Sequence, residues 1–154
     1  MKAKTSVLTL ALCFVAGAVC FAGDAQMGTW KLNEAKSKFG AGSPKLTTVV
    51  YEAAGDSVKV TLDGTDGDGK PLHNEWTGKY DGKDYPVTGD PNTDTRSYKK
   101  VNDHTLASTN KKGDKVTIRG RGVVSADGKT RTVTITGTDS KGKKFTSTAV
   151  YDKQ

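Results

Sequence analysis

From residue 46 to the C-terminus, apolar and polar positions alternate in short runs. Val58, Val60 and Leu62 alternate with Lys59, Thr61 and Asp63, and Trp76, Gly78 and Tyr80 alternate with Thr77 and Lys79. Phe145, Ser147, Ala149 and Tyr151 form a further two-residue stripe. A period of two sends successive side chains to opposite faces of an extended strand, so each run predicts one face for a core and one for water. Between the runs lie short turns: Gly55-Asp56, Asp66-Gly67, Asp81-Gly82, Gly89-Asp90, Gly113-Asp114, Asp127-Gly128 and Lys141-Gly142. Most are roughly 8 to 15 residues apart, the hairpin spacing of an antiparallel meander.

The runs predict about ten strands, over 28–32, 46–53, 57–63, 71–80, 84–88, 94–101, 104–110, 114–124, 130–138 and 144–152. No window of ten or more residues sustains a 3.6-residue apolar period. The one predicted helix is short, Asn33 to Phe39, with Asn33 as N-cap and Gly40 as its stop. The fold class is therefore all-β, an antiparallel up-and-down meander of eight to ten strands with one short helix after the first. Sequential strands either close into a barrel or pack as a sandwich. Regular spacing without long crossovers favours the barrel, which leaves no exposed edge. Many inward positions are Gly, Ser, Thr or Ala, which suits either a barrel with a cavity or a narrow, tapered one.

The first residues follow another pattern. Lys2 and Lys4 precede a mostly apolar run from Val7 to Phe21, the layout of a secretory signal peptide and too short for a stable membrane span. Cleavage after Ala22 gives a leader of residues 1–22 and a single domain of residues 23–154; Ala18 and Ala25 are alternative cuts. Cys20 is an alternative lipidation site, although the residue before it is Val19 rather than a small one. Both cysteines, Cys13 and Cys20, lie in this leader, so the domain holds itself together without disulfides. The expected location is periplasmic or secreted, and no transmembrane segment remains after cleavage.

Charge changes this picture little. The chain carries a net +7, and residues 1–22 hold two lysines and no acid, so the domain carries +5. Lys and Asp alternate along the chain with no basic block, which argues for solvated strand faces and against nucleic acid, whose footprint clusters cations.

Gly28-Thr29-Trp30-Lys31-Leu32 resembles the opening strand of the calycins, the lipocalin and fatty-acid-binding-protein superfamily. Ser147 to Lys153 is similar to the closing strand of the intracellular fatty-acid-binding proteins, and the strand count and domain length agree. The chain as a whole resembles small exported bacterial lipocalin-like proteins. The resemblance implies a calycin-like barrel, with Gly28 and Trp30 as structural residues at its closed end. In the fatty-acid-binding proteins an Arg-x-Tyr pair on the last strand holds the ligand carboxylate; Tyr151 matches the tyrosine, but Ala149 stands at the arginine. The space between Leu32 and Leu46 holds one short helix rather than that family's two-helix lid.

Two other arginines are candidates for the interior. Arg96 and Tyr98 share one strand face; turned inward, they would bind a carboxylate or phosphate through charge-assisted hydrogen bonds, and turned outward Arg96 is an ordinary surface cation. With Asp127-Gly128 as the turn, Val124 pairs with Arg131, Gly122 with Val133 and Gly120 with Ile135. Arg131 then shares a face with Val116, Ile118 and Val124. In lipocalin-like barrels a late-strand arginine packs over the first-strand tryptophan, and the resemblance implies that structural role for Arg131 over Trp30.

Other chemistry finds little support. The segment from Asp63 to Glu75 places Asp66, Asp68 and Glu75 at calcium-loop spacing, but Gly64 stands at the first ligand position and Pro71 interrupts the loop; a polar hairpin tip explains the same residues. His73 and His104 are the only histidines, and no thiol lies outside the leader, so a zinc site lacks ligands. No serine sits in a nucleophile elbow, and no metal, cofactor or catalytic set is expected. The chain thus reads as a non-enzymatic, monomeric binding protein for a small apolar or amphipathic molecule. Trp76, Tyr80, Tyr98, Phe145 and Tyr151 would line its cavity, with Arg96 as anion anchor. The alternative is a cell-envelope interaction module acting through its basic surface, its aromatics merely filling the core.

Overall fold

The computed structural model describes residues 23–154; the expected leader, its cleavage sites up to Ala22 and Cys20 lie outside them. The ten strands are β1 (Gly28–Lys38), β2 (Lys45–Ala54), β3 (Ser57–Thr65), β4 (Pro71–Gly78), β5 (Tyr85–Thr88), β6 (Thr95–Asn102), β7 (Thr105–Lys112), β8 (Lys115–Val124), β9 (Thr130–Thr138) and β10 (Lys144–Lys153). Each pairs antiparallel with its sequence neighbours, and β1 also pairs with β10. The sheet closes into a barrel, which excludes the sandwich. No helix among the described residues is long and apolar enough to cross a membrane.

Alternation decides what faces inward. Val58, Val60 and Leu62 of β3 are buried, as are Arg96 and Tyr98 of β6 and Phe145, Ser147, Ala149 and Tyr151 of β10. Each buried Val or Leu stabilises the fold by about 1.5–3 kcal/mol relative to exposure. The expected pairing across the Asp127-Gly128 turn is present: Val124 faces Arg131, Gly122 faces Val133 and Gly120 faces Ile135. Gly128 adopts φ 73°, a left-handed conformation that an L side chain would strain.

The short helix expected over Asn33 to Phe39 is not formed; β1 runs on through this stretch as a bulged strand. Between Asn33 and Lys38, β1 advances five residues while its partner moves only from Val150 to Thr148. Ser37 Oγ accepts from Val150 N (2.9 Å), Asn33 Nδ2 donates to Asp152 Oδ2 (2.8 Å), and Gly40 N donates to Ser147 Oγ (2.9 Å). So short and polar a stretch cannot sustain a helix alone, whereas closing the barrel here satisfies β1 and β10 together.

Antiparallel order puts the β1–β2, β3–β4, β5–β6, β7–β8 and β9–β10 connections at one end of the barrel. The other connections and the two ends of the described chain lie at the opposite end. There the residues before β1 fold across the opening as a plug. Met27 N donates to Asp24 O (3.1 Å), Trp30 Nε1 to Gln26 O (2.8 Å) and Gln26 Nε2 to His104 O (3.2 Å). Trp30 is fully buried beneath this plug.

Candidate functional site

Inside the barrel is a cavity of about 380 Å³ that reaches the hairpin tips of the unplugged end at Gly42, Asp66, Asp90 and Asp139. Its walls are largely apolar, with Leu46, Leu62, Leu106, Ile118, Val133 and Ile135 among them. Glycines help to make the space. Gly120 and Gly122 face inward on β8, and a Cβ at Gly122 would come within 2.8 Å of Arg131 Nη2.

Arg96 enters this cavity from β6 and is 3% exposed. Its Nε donates to Asn110 Oδ1 (2.9 Å) and its Nη1 to Asn74 Oδ1 (3.3 Å). Asn74 Nδ2 in turn points to Asp90 Oδ2 at 3.5 Å, near the mouth. Both direct partners are neutral amides. They stand at inward positions of β4 and β7, where a buried amide needs a hydrogen-bond partner and the guanidinium supplies one. The polar residue within the Leu72, Asn74, Trp76 stripe is the sequence signal for this arrangement, and it goes unused in a reading that looks for arginines alone.

Tyr98, Phe145 and Tyr151 join Arg96 in the cavity wall. Trp76 and Tyr80 are placed behind it. Trp76 packs edge-on to Tyr98 at 4.7 Å between ring centroids and donates Nε1 to the Arg96 carbonyl (2.8 Å). Tyr80 packs edge-on to Tyr98 at 6.1 Å, and its buried hydroxyl has no hydrogen-bond partner among the described residues. The structure thus brings Arg96, Tyr98, Phe145 and Tyr151 around one space, with Trp76 and Tyr80 supporting Tyr98 from outside it.

Arg131 is also buried and also reaches the cavity, but it does not take the position expected over Trp30. The cation over the Trp30 ring is Lys153 Nζ, 5.2 Å from the centroid, while the Arg131 guanidinium lies 4.9 Å from the centroid of Tyr51. Arg131 Nη2 donates to Tyr51 Oη (2.6 Å) and Nε to Gln26 Oε1 (2.9 Å). Pairing with Val124 sends Arg131 inward, and the plug residue Gln26 then holds its guanidinium on the Tyr51 side. Gly28, at φ 109°, opens β1 opposite Tyr51.

Three phenols around this interior, those of Tyr51, Tyr80 and Tyr151, are held neutral. Burial pushes Tyr151 up to about 12 against the opposing pull of Arg131, and its hydroxyl donates to Leu46 O (3.1 Å). Burial also pushes Tyr51 and Tyr80 well above the ordinary tyrosine value, Tyr51 doing so despite Arg131 beside it.

Among the described residues no three His, Cys, Asp or Glu side chains converge as metal ligands. Asp66, considered for calcium, caps its own hairpin tip: Oδ1 accepts from Asp68 N and Lys70 N, both at 2.9 Å. On the outer surface, acids pair with lysines at Lys45–Glu34, Lys59–Glu75, Lys79–Asp56 and Lys111–Asp84.

No family model matches the chain, and no curated protein matches it. Solved structures similar to it include three β-barrels. EF1p2_mFAP2b bound to DFHBI is 14% identical over 88% of this chain and 100% of that one, with a TM-score of 0.47. A redesigned β-barrel, mFAP1, bound to DFHBI, is 20% identical over 82% and 97%, with a TM-score of 0.37. A third, a fluorescence-activating β-barrel designed de novo, is 14% identical over 88% and 100%, with a TM-score of 0.38.

Proposed function

We propose that this chain is an exported, non-enzymatic binding protein of calycin-like build, held in the periplasm or secreted, that carries a small amphipathic molecule inside its barrel. The observation that carries this reading is the buried Arg96 facing a largely apolar cavity of about 380 Å³. Such a volume lies in the range of small-molecule sites, which combine apolar walls with a few convergent polar groups. Arg96 anchors the polar end of the ligand, while Tyr98, Phe145 and Tyr151 contact its body. Trp76 and Tyr80 keep Tyr98 in place. The calycin-like reading is supported by the up-and-down order of ten strands and by Trp30 under the plug. The alternative, an interaction module with no internal ligand, draws less support from a surface on which lysines and acids are interspersed, six lysines pairing with acids among the described residues.

Native mass spectrometry of protein purified from its own exporting cells is the direct test. A co-purifying small molecule that is lost in Arg96→Gln is the expected result. If the protein carries nothing, and neither its tryptophan fluorescence nor its thermal midpoint responds to fatty acids, sterols, quinones, haem or aromatic acids, the binding reading fails.

A further inference from the structure

We infer that the ligand is a diacid, with two acidic groups separated by an apolar body, one held by Arg96 and the other by Arg131. The inference rests on the binding reading above and specifies its ligand class.

Arg96 and Arg131 are the only charged side chains among the buried polar residues described; the others are Gln26, Asn74, Thr93, Thr105, Asn110 and Ser147. A guanidinium cannot shed its charge by deprotonation as a buried lysine can. Both arginines donate to neutral groups, and no ion pair among the described residues includes either of them. Residues 1–22 contain no Asp or Glu that would make good the difference. Nor does Tyr51 serve as counter-ion, since burial keeps its phenol protonated. The interior therefore holds two fixed positive charges, and buried charge is costly unless it is paired.

The two cations stand towards opposite ends of one cavity. Arg96 is linked through Asn74 to Asp90 at the mouth, and Arg131 is linked through Gln26 to the plug that reaches His104 O. Leu46, Leu62, Leu106 and Val133 contribute apolar wall to the same cavity. A monoacid compensates one guanidinium and leaves the other, whereas a diacid of matching length compensates both. Each acid–guanidinium contact is a charge-assisted hydrogen bond, stronger than one between neutral groups.

Calorimetric titration of the full domain with saturated α,ω-dicarboxylic acids of graded length, each against the monocarboxylic acid of equal length, tests this directly. The diacids are expected to show an affinity maximum at one length and to exceed the monoacid there by about tenfold or more, the lower end for a hydrogen bond to a charged group. Arg96→Gln and Arg131→Gln should each reduce the diacid to monoacid strength, and Arg119→Gln on the outer face should change neither. Should Arg131→Gln not fold, Arg131→Lys and the wild-type length profile still decide the matter. Equal binding of diacid and monoacid at every length, or binding of neutral ligands alone, overturns the diacid while leaving the binding protein. No binding of any acid or neutral ligand removes both.

Discussion

A Cβ placed on Gly78 would lie 2.6 Å from the Tyr85 ring and 2.7 Å from Trp76, so the two aromatics meet across a missing side chain. Trp76 and Tyr85 pack there edge-on, 5.7 Å apart. Gly78→Ala should lower stability by about 1–3 kcal/mol, the usual cost of overpacking. Urea denaturation checks this, and an unchanged midpoint would mean that the Tyr85 wall yields freely. At the same scale the sequence was partly legible. The Asp127-Gly128 turn predicts that Arg131 shares the inward face of Val124, because hairpin pairing is local. It does not predict that Arg131 lies over Tyr51 while Lys153 covers Trp30. Which side chains meet across the interior depends on the stagger of the whole barrel, which no single hairpin reports.

β1 poses the corresponding problem for an element. The strands from β2 to β10 follow the two-residue alternation and its turn punctuation closely. The second half of β1 does not, since Asn33-Glu34-Ala35-Lys36-Ser37-Lys38 is polar and without a stripe. Its structure is set by β10, more than a hundred positions away, and local propensity says nothing about that contact. Ser37 is one of the residues that join them, accepting from Val150 N and donating to Asn33 O (2.7 Å). Ser37→Ala should cost about 1 kcal/mol, the typical worth of one such bond. It should also speed hydrogen exchange selectively at the Val150 amide. Unchanged protection at Val150 would remove Ser37 from the closure.

For the whole molecule, the buried phenols set an alkaline limit. Tyr51, Tyr80 and Tyr151 all resist ionisation because they are buried. Their contribution is fully present below the ordinary tyrosine value of 10.0 and is lost as pH rises towards the folded value, about 12 for Tyr151, because the unfolded chain sheds its protons first. The thermal midpoint should therefore hold to about pH 10 and then fall, with tyrosinate absorbance from these residues appearing only on unfolding. Early tyrosinate absorbance without unfolding would contradict their burial. The antiparallel meander was legible, because alternation and turns specify it, whereas its closure into a barrel rather than a sandwich was only favoured by the regular spacing and is set by the pairing of β1 with β10. The cavity was not legible, because its volume depends on how Gly120, Gly122 and two arginines share the interior. Closure also has a use for the engineer. Gln154 N donates to Thr29 O (3.0 Å), so the last residue of the chain lies against its first strand, at the plugged end. A short linker from Gln154 back to Asp24 would make the chain circular. New termini cut at the Gly113 turn would then keep every strand pairing, and a reporter fused there would sit beside the mouth.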